Sequence, residues 1–206
     1  MRRRAITLAF LAALAAGSTR AFAASLGSLS TAALTSFAAA STVPTSSCSS
    51  NPTQDTWIDA AHTATSHATS TTLQVASGNK PTYALVQHTP CAVANARIVS
   101  ATLQLHLGTA PSSPRTYVVL PITTSWGETV TWKTAPTISA VQSASAVTGA
   151  NGSWLSWSLT GDVQSIVNGA ANNGWAIEDN GSGIFTGTLD SREGSNPPVL
   201  AITYYP

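Results

Sequence analysis

The sequence predicts an all-β fold: an antiparallel β-sandwich of jelly-roll type with one short helix. Three observations carry this. Short runs rich in β-branched and aromatic residues recur between Gly, Pro, Ser and Asn clusters through residues 54–206. Charged residues make up only 8% of the chain, against roughly 25% in an ordinary soluble domain. Serine and threonine take their place, and threonine suits the exposed face of a strand. Only one segment carries helical spacing.

The N-terminal segment reads as a targeting signal. Arg2, Arg3 and Arg4 form a basic start, "AITLAFLAALAAG" is an apolar stretch too short to span a bilayer comfortably, and Ala21-Phe22-Ala23 supplies an A-x-A site. Residues 1–23 are therefore expected to be removed, and the chain to be secreted. Residues 24–53 are Ala/Ser/Thr-rich with no sustained period and read as a flexible leader, with one strand-like piece near Val43. Residues 54–206 are long enough for one domain with its own core.

Within that domain the expected strands follow in order. They are "DTWID", "TTLQV", "TYALVQH", "ARIVSATLQLHL", "RTYVVLPI", "ETVTW", "SWLSWSL", "GWAIED", "IFTGTL" and "VLAITYY". Strands this short at this spacing suit a sandwich or jelly roll. The helix lies in "LTGDVQSIVNGAANNG", where Val163, Ile166 and Val167 recur at i, i+3 and i+4. Thr160 is its expected N-cap, Asp162 favours its first turn and Gly169 ends it.

Charge and cysteines narrow the function. After signal removal Lys80, Arg97, Arg115, Lys133 and Arg192 face all eight acids, a net charge near −3. A nucleic-acid partner would need a clustered basic footprint, which is missing. No second long apolar run follows the signal, so no membrane span is expected after cleavage. Cys48 and Cys91 form an even pair behind a secretion signal, and a disulfide between them is expected.

The segment "SWGETVTW" concentrates the question of function. Read as a strand, it puts Trp126, Glu128, Val130 and Trp132 on one face. A carboxylate among aromatics can be a general acid, part of a sugar platform, or a structural group. A glycosidase needs a second carboxylate across the scissile bond. Asp55, Asp59, Asp179 and Asp190 are the best candidates, and the sequence does not place any of them opposite Glu128. There is no G-x-S-x-G elbow and no Gly-rich phosphate loop between a strand and a helix.

Five motifs in order resemble a known family. "SWGETVTW" followed by Pro136 is similar to the "sW-x-E-x-x-v-T-W-x-x-x-P" signature of DNRLRE-domain proteins, a group that overlaps carbohydrate-binding module family 96. "SATLQL", "WLSWSLTGDVQSIVNG", "NNGWAI" and "SREGSNPPVLAITY" resemble its other conserved segments, over roughly Asp55 to Tyr205. The resemblance implies a secreted β-sandwich that binds polysaccharide without cutting it. Some members bind alginate. Three features depart from the pattern: His88 stands near a phenylalanine position, "TSHATS" replaces an "N-y-G" loop, and basic residues are sparse.

The resemblance carries both "SWGETVTW" and "SRE", and a chain this poor in charge has little reason to bury a lone acid. Glu128 and Arg192 are therefore expected to form a structural ion pair. Period two divides the tryptophans. Leu155, Trp157 and Leu159 share a core face, with Trp154 pointing the other way; Trp175 alternates with Ile177 and is expected to be buried; Trp126 and Trp132 are assigned to a core corner. Trp57 shares a face with Asp55 and Asp59 and is expected at the surface. The candidate sugar platform is thus Trp57, Tyr83, Tyr117 and Trp154. His62 and His67 sit five apart in a Ser/Thr-rich loop that reads as solvated rather than metal-binding. No cofactor is expected beyond a possible structural calcium, for which Asp55, Asp59, Asp179 and Asp190 are the densest oxygen supply.

Two rivals stand beside polysaccharide binding: a structural or adhesive surface protein, and a polysaccharide hydrolase or lyase. An exposed aromatic stripe favours sugar binding. A leader pairing with another chain favours assembly. A cleft with two facing carboxylates favours the enzyme.

Overall fold

The computed structural model describes residues 43–206; the signal-peptide reading and the leader up to residue 42 lie outside the described residues. In chain order the elements are β1 (Ser46–Ser50), β2 (Pro52–Asp59), β3 (Thr72–Ala76), β4 (Thr82–His88), β5 (Arg97–Thr109), β6 (Thr116–Pro121), β7 (Ala144–Val147), β8 (Trp154–Ser158), α1 (Thr160–Val167), β9 (Trp175–Asp179), β10 (Thr186–Asp190) and β11 (Val199–Tyr205).

All pairings between these strands are antiparallel. One layer runs β1–β11–β5–β8. The other runs β2–β4–β9–β6–β7. Strand β10 pairs with both β5 and β3, and β3 meets β4 at Ala76↔Thr82, so the layers join into one curled sheet. The fold is all-β, as the strand spacing predicts.

The alternation of β5 builds the main core. Leu103, Leu105 and Leu107 are fully buried, while Gln104 and His106 turn outward. Leu155, Trp157 and Leu159 pack from the β8 segment, and Trp175 and Ile177 from β9. Trp157 Nε1 donates to the Tyr117 carbonyl across the sandwich, which satisfies the one polar atom of its indole. Gly174 lets Trp175 enter this core: its φ is +73°, and a Cβ there would lie 2.2 Å from the Val86 carbonyl oxygen.

Three sequence expectations need correction. First, "SWGETVTW" is not a strand. Glu128 and Thr129 form a turn closed by Val130 N–H donating to Gly127 O, and Trp132–Thr134 is a single 3-10 turn. The segment crosses the outer face of the second layer instead of joining it. Trp126, Val130 and Trp132 turn toward one apolar surface formed by Ile58, Leu85, Ile122 and Ala176. A second, smaller core results. Each aliphatic side chain it covers gains about 1.5–3 kcal/mol from leaving water.

Second, residues 46–53, assigned to the leader by composition, belong to the sheet. Ser46–Ser50 pair with Tyr204–Leu200 of β11. A serine-rich strand such as β1 shows no apolar alternation when mainly its backbone is needed for pairing, and β7 (Ala144–Val147) is too short, with only Ala144 and Ala146 turned to the core, to stand out. Third, Thr160 is the first residue of α1 rather than its cap. Leu159 occupies the cap position, and the Thr160 hydroxyl instead accepts the Ala101 N–H of β5. Asp162 sits in the first turn as expected, and Gly169 follows the helix with φ +100°.

The Cys48–Cys91 disulfide is formed, with Cα atoms 6.1 Å apart. It ties β1 to the loop after β4.

Candidate functional site

The proposed platform residues do not come together. Tyr117 points into the main core and is 0% exposed, so it has no face to offer a ligand; β6 turns it inward on the same face as Val119. Trp57 also turns inward. Its face of β2 is the inner one at the sandwich edge, and its ring stacks on His67 with centroids 3.4 Å apart. The aspartates on the same face, Asp55 and Asp59, are buried too, Asp55 against the distant Arg192 N–H and Asp59 against its neighbours Ala61 and His62. Tyr83 lies on the outer face of the second layer, tilted against Trp132 at 5.2 Å. Trp154 alone among the four is open, at 46% exposure, on the outer face of the first layer.

Trp154 begins a row that crosses three strands. It sits opposite His106 of β5, whose ring meets it edge-on at 5.3 Å. His106 Nδ1 lies 3.1 Å from Asp190 Oδ2 of β10, and Asn196 Nδ2 donates to the same oxygen at 2.8 Å. Along β5 and β8 the row continues into Gln104, Ser156, Thr102 and Ser158, paired Gln104↔Ser156 and Thr102↔Ser158. The result is a polar, lightly charged sheet face with one indole at its end. His106 and Asn196 were not singled out from sequence. The alternation in "TLQLHL" does turn His106 outward, but the strand that brings Asp190 beside it comes from the far end of the chain.

The four aspartates weighed as calcium ligands are dispersed. Asp55 Oδ2 accepts the Arg192 backbone N–H at 2.8 Å. Asp59 is held by His62 and by the Ala61 N–H. Asp179 takes Arg115 in a two-pronged grip at 2.8 and 3.0 Å. Asp190 faces His106 and Asn196. Among the described residues no group of three or more His, Cys, Asp or Glu side chains is arranged to hold a metal ion.

Glu128 and Arg192 do meet. Arg192 Nη2 lies 2.8 Å from Glu128 Oε1 and donates to Oε2 at 3.0 Å. The same guanidinium reaches Glu193 Oε1 at 2.6 Å through Nε and the Thr53 carbonyl at 2.7 Å through Nη1. Glu128 Oε1 also accepts the Asp55 N–H at 3.3 Å. Burial raises the pKa of Asp55 to about 7, against the lowering effect of the Arg192 N–H. For Glu193 burial pushes up, but the hydrogen bonds from Arg192 and Ser191 outweigh it and hold the carboxyl below its usual range.

Comparison with known proteins agrees with this architecture. No curated protein matches the chain. The family model for carbohydrate-binding module family 96 matches residues 46–204, from the first residue of β1 to the penultimate residue of β11. The chain belongs to carbohydrate-binding module family 96.

Proposed function

We propose that this chain is a secreted, non-catalytic module that binds polysaccharide on the outer face of the β1–β11–β5–β8 layer. The observation that carries the reading is Trp154, a large aromatic left 46% exposed on a flat, polar strand face. An indole in that position offers apolar area to the CH face of a pyranose, while its neighbours supply donors and acceptors for hydroxyls. The outer face of the other layer is already taken by the Trp126–Trp132 loop.

The arrangement of the acids favours binding over cleavage. Glu128 and Glu193 are both engaged by Arg192, and Asp55, whose N–H meets Glu128, is 1% exposed. A two-carboxylate mechanism needs both groups open to the substrate. The Glu128–Arg192 pair is structural in this reading. The dispersal of the four aspartates weighed as calcium ligands supports binding without a metal. The disulfide fits a secreted protein, because such bridges persist in oxidising compartments.

Co-sedimentation with a panel of insoluble polysaccharides tests the reading. At least one polymer should pull the protein down in the presence of EDTA, and Trp154→Ala should weaken that binding at least tenfold. No new reducing ends should appear on prolonged incubation. Retention unaffected by Trp154→Ala would move the site elsewhere, and chain cleavage would replace the module by an enzyme.

A further inference from the structure

We propose that the Trp154 face selects uncharged polysaccharides and rejects polyuronates, with Asp190 as the residue that sets this selectivity. The inference rests on the reading that polysaccharide binds at this face. Asp190 stands in the row with Trp154 and His106, and its side chain is 15% exposed beside a histidine side chain that is 18% exposed. Both recorded partners, His106 Nδ1 and Asn196 Nδ2, take the same oxygen, Oδ2. Oδ1 has no hydrogen bond among the described residues. Gly108, the outward-facing residue two positions beyond His106 on β5, lets Oδ1 lie close over the strand, where a Cβ would crowd it at 3.1 Å.

An ionised carboxylate only accepts hydrogen bonds. A neutral sugar stacked on Trp154 presents hydroxyl donors to Oδ1. A uronate brings a second carboxylate to the same place, and like charges this close repel.

Among the described residues no lysine or arginine offsets that repulsion, and the histidine beside Asp190, His106, adds a charge only when protonated. Arg192, two residues from Asp190 in sequence, is held by Glu128, Glu193 and the Thr53 carbonyl. Arg115 is locked to Asp179, at the other end of β10 near Ser77. Lys80 lies in the β3–β4 turn, by the Ala76 end of β3, while Asp190 pairs with Thr72 at the opposite end. Lys133 belongs to the loop over the second layer. Arg97 begins β5, with its guanidinium 5.6 Å from the Tyr205 ring centroid. It is nine residues from His106, about 30 Å at the usual strand rise.

Affinity gel electrophoresis at pH 8 and low salt tests this, with soluble mixed-linkage glucan, glucomannan and xyloglucan as neutral polymers and alginate and polygalacturonate as acidic ones. The expected result is retardation by at least one neutral polymer, abolished by Trp154→Ala, with none by either acidic polymer. Asp190→Asn, which keeps the shape and removes the charge, should admit an acidic polymer with at least a tenfold gain in retardation. A melting temperature close to the parent's will show that the variant is folded. Retardation of the parent by alginate or polygalacturonate, lost in Trp154→Ala, would overturn the selectivity and leave the face in place. An Asp190→Asn protein that still excludes both acidic polymers would remove Asp190 from the role. No retardation by any polymer would overturn polysaccharide binding itself, and the inference with it.

Discussion

Arg192 grips Glu128 from 64 residues away, with Nη2 2.8 Å from Oε1. The contact fastens the turn of the Trp126–Trp132 loop to the segment between β10 and β11. The same guanidinium also caps the Thr53 carbonyl of β2, so three distant parts of the chain share one cation. An arginine suits this because its planar fork carries several donors in fixed directions.

Breaking this knot should destabilise the fold without changing it. The two side chains keep 25% and 34% exposure, so the cost should fall below the 3–5 kcal/mol of a deeply buried pair. Glu128→Gln is expected to cost about 1.5–3 kcal/mol, the range for a hydrogen bond to a charged group. Arg192→Met should cost more, since it also strands Glu193 and the Thr53 carbonyl. Urea denaturation of both singles and the double should show a double cost smaller than the sum. Additive costs would mean that the contact contributes nothing.

Asp55 and His88 should pull the pH dependence of stability in opposite directions. Burial raises the Asp55 pKa from 3.8 to about 7. Its contribution is therefore fully present below pH 3.8 and is lost as pH rises through about 7. The size is on the order of 4 kcal/mol at 1.36 kcal/mol per pKa unit. Burial lowers the His88 pKa from 6.5 to about 4. That contribution is present above pH 6.5 and is lost as pH falls through about 4. The two nearly cancel between pH 4 and 6.5. Asp55→Asn should unmask His88: the variant should gain on the parent as pH rises from 5 to 8, and should weaken more steeply than the parent below pH 6. Denaturation midpoints at four pH values decide this, and a constant gap between the two proteins would refute it.

The disulfide should stabilise chiefly through the unfolded chain. Cys48 and Cys91 are 43 residues apart, and closing a loop of that size removes about 4 kcal/mol of unfolded-state entropy in the loop-closure model. Cys48→Ser with Cys91→Ser should lower stability by about 2–4 kcal/mol. Strand β1 should lose hydrogen-exchange protection first, because among the described residues it pairs only with β11. If β1 stays protected and the midpoint is unmoved, the bridge is incidental to the fold.

The strands that face the core were legible in the sequence because burial imposes alternation. In β5, Leu103, Leu105 and Leu107 announce a strand, and so does the Leu155–Trp157–Leu159 row after it. Strand β1 was not legible. Its residues, Ser46 to Ser50, alternate only between half-buried and exposed, and its place is set by backbone pairing and one cysteine. The inward turn of Trp57 was hidden for a different reason. Asp55 and Asp59 marked its face as polar, yet both are buried: Asp55 by the Arg192 N–H from 137 residues away, and Asp59 by His62, whose fold back onto it within three residues carries no sequence signal of its own. Trp154 was found because Trp157 and its leucines fix the phase of β8. The row beyond it depends on β10 reaching β5, a pairing between segments about 80 residues apart.

The tryptophans of the crossing loop should hold it to the sheet, and their loss should be felt locally. Trp126 and Trp132 pack on the small second core, and Trp126 Nε1 also donates to the Asn173 carbonyl at 2.8 Å. Both rings are only partly buried, so Trp126→Ala or Trp132→Ala should each cost about 2–3 kcal/mol, below the 3–5 kcal/mol of a fully buried aromatic. The loop's few backbone bonds to its surroundings, such as Lys133 N–H to Thr63 O and Thr123 N–H to Thr137 O, should then exchange faster. Amides of β5 and β8 should keep their protection, because the main core lies on the other side of the second layer. Trp154→Ala provides the contrast: an exposed ring away from both cores should change stability by no more than about 0.5 kcal/mol. Hydrogen exchange by mass spectrometry reads all three variants. Uniform loss of protection across the molecule in Trp132→Ala would mean that the two cores unfold as one, and that the loop is not a separable cover.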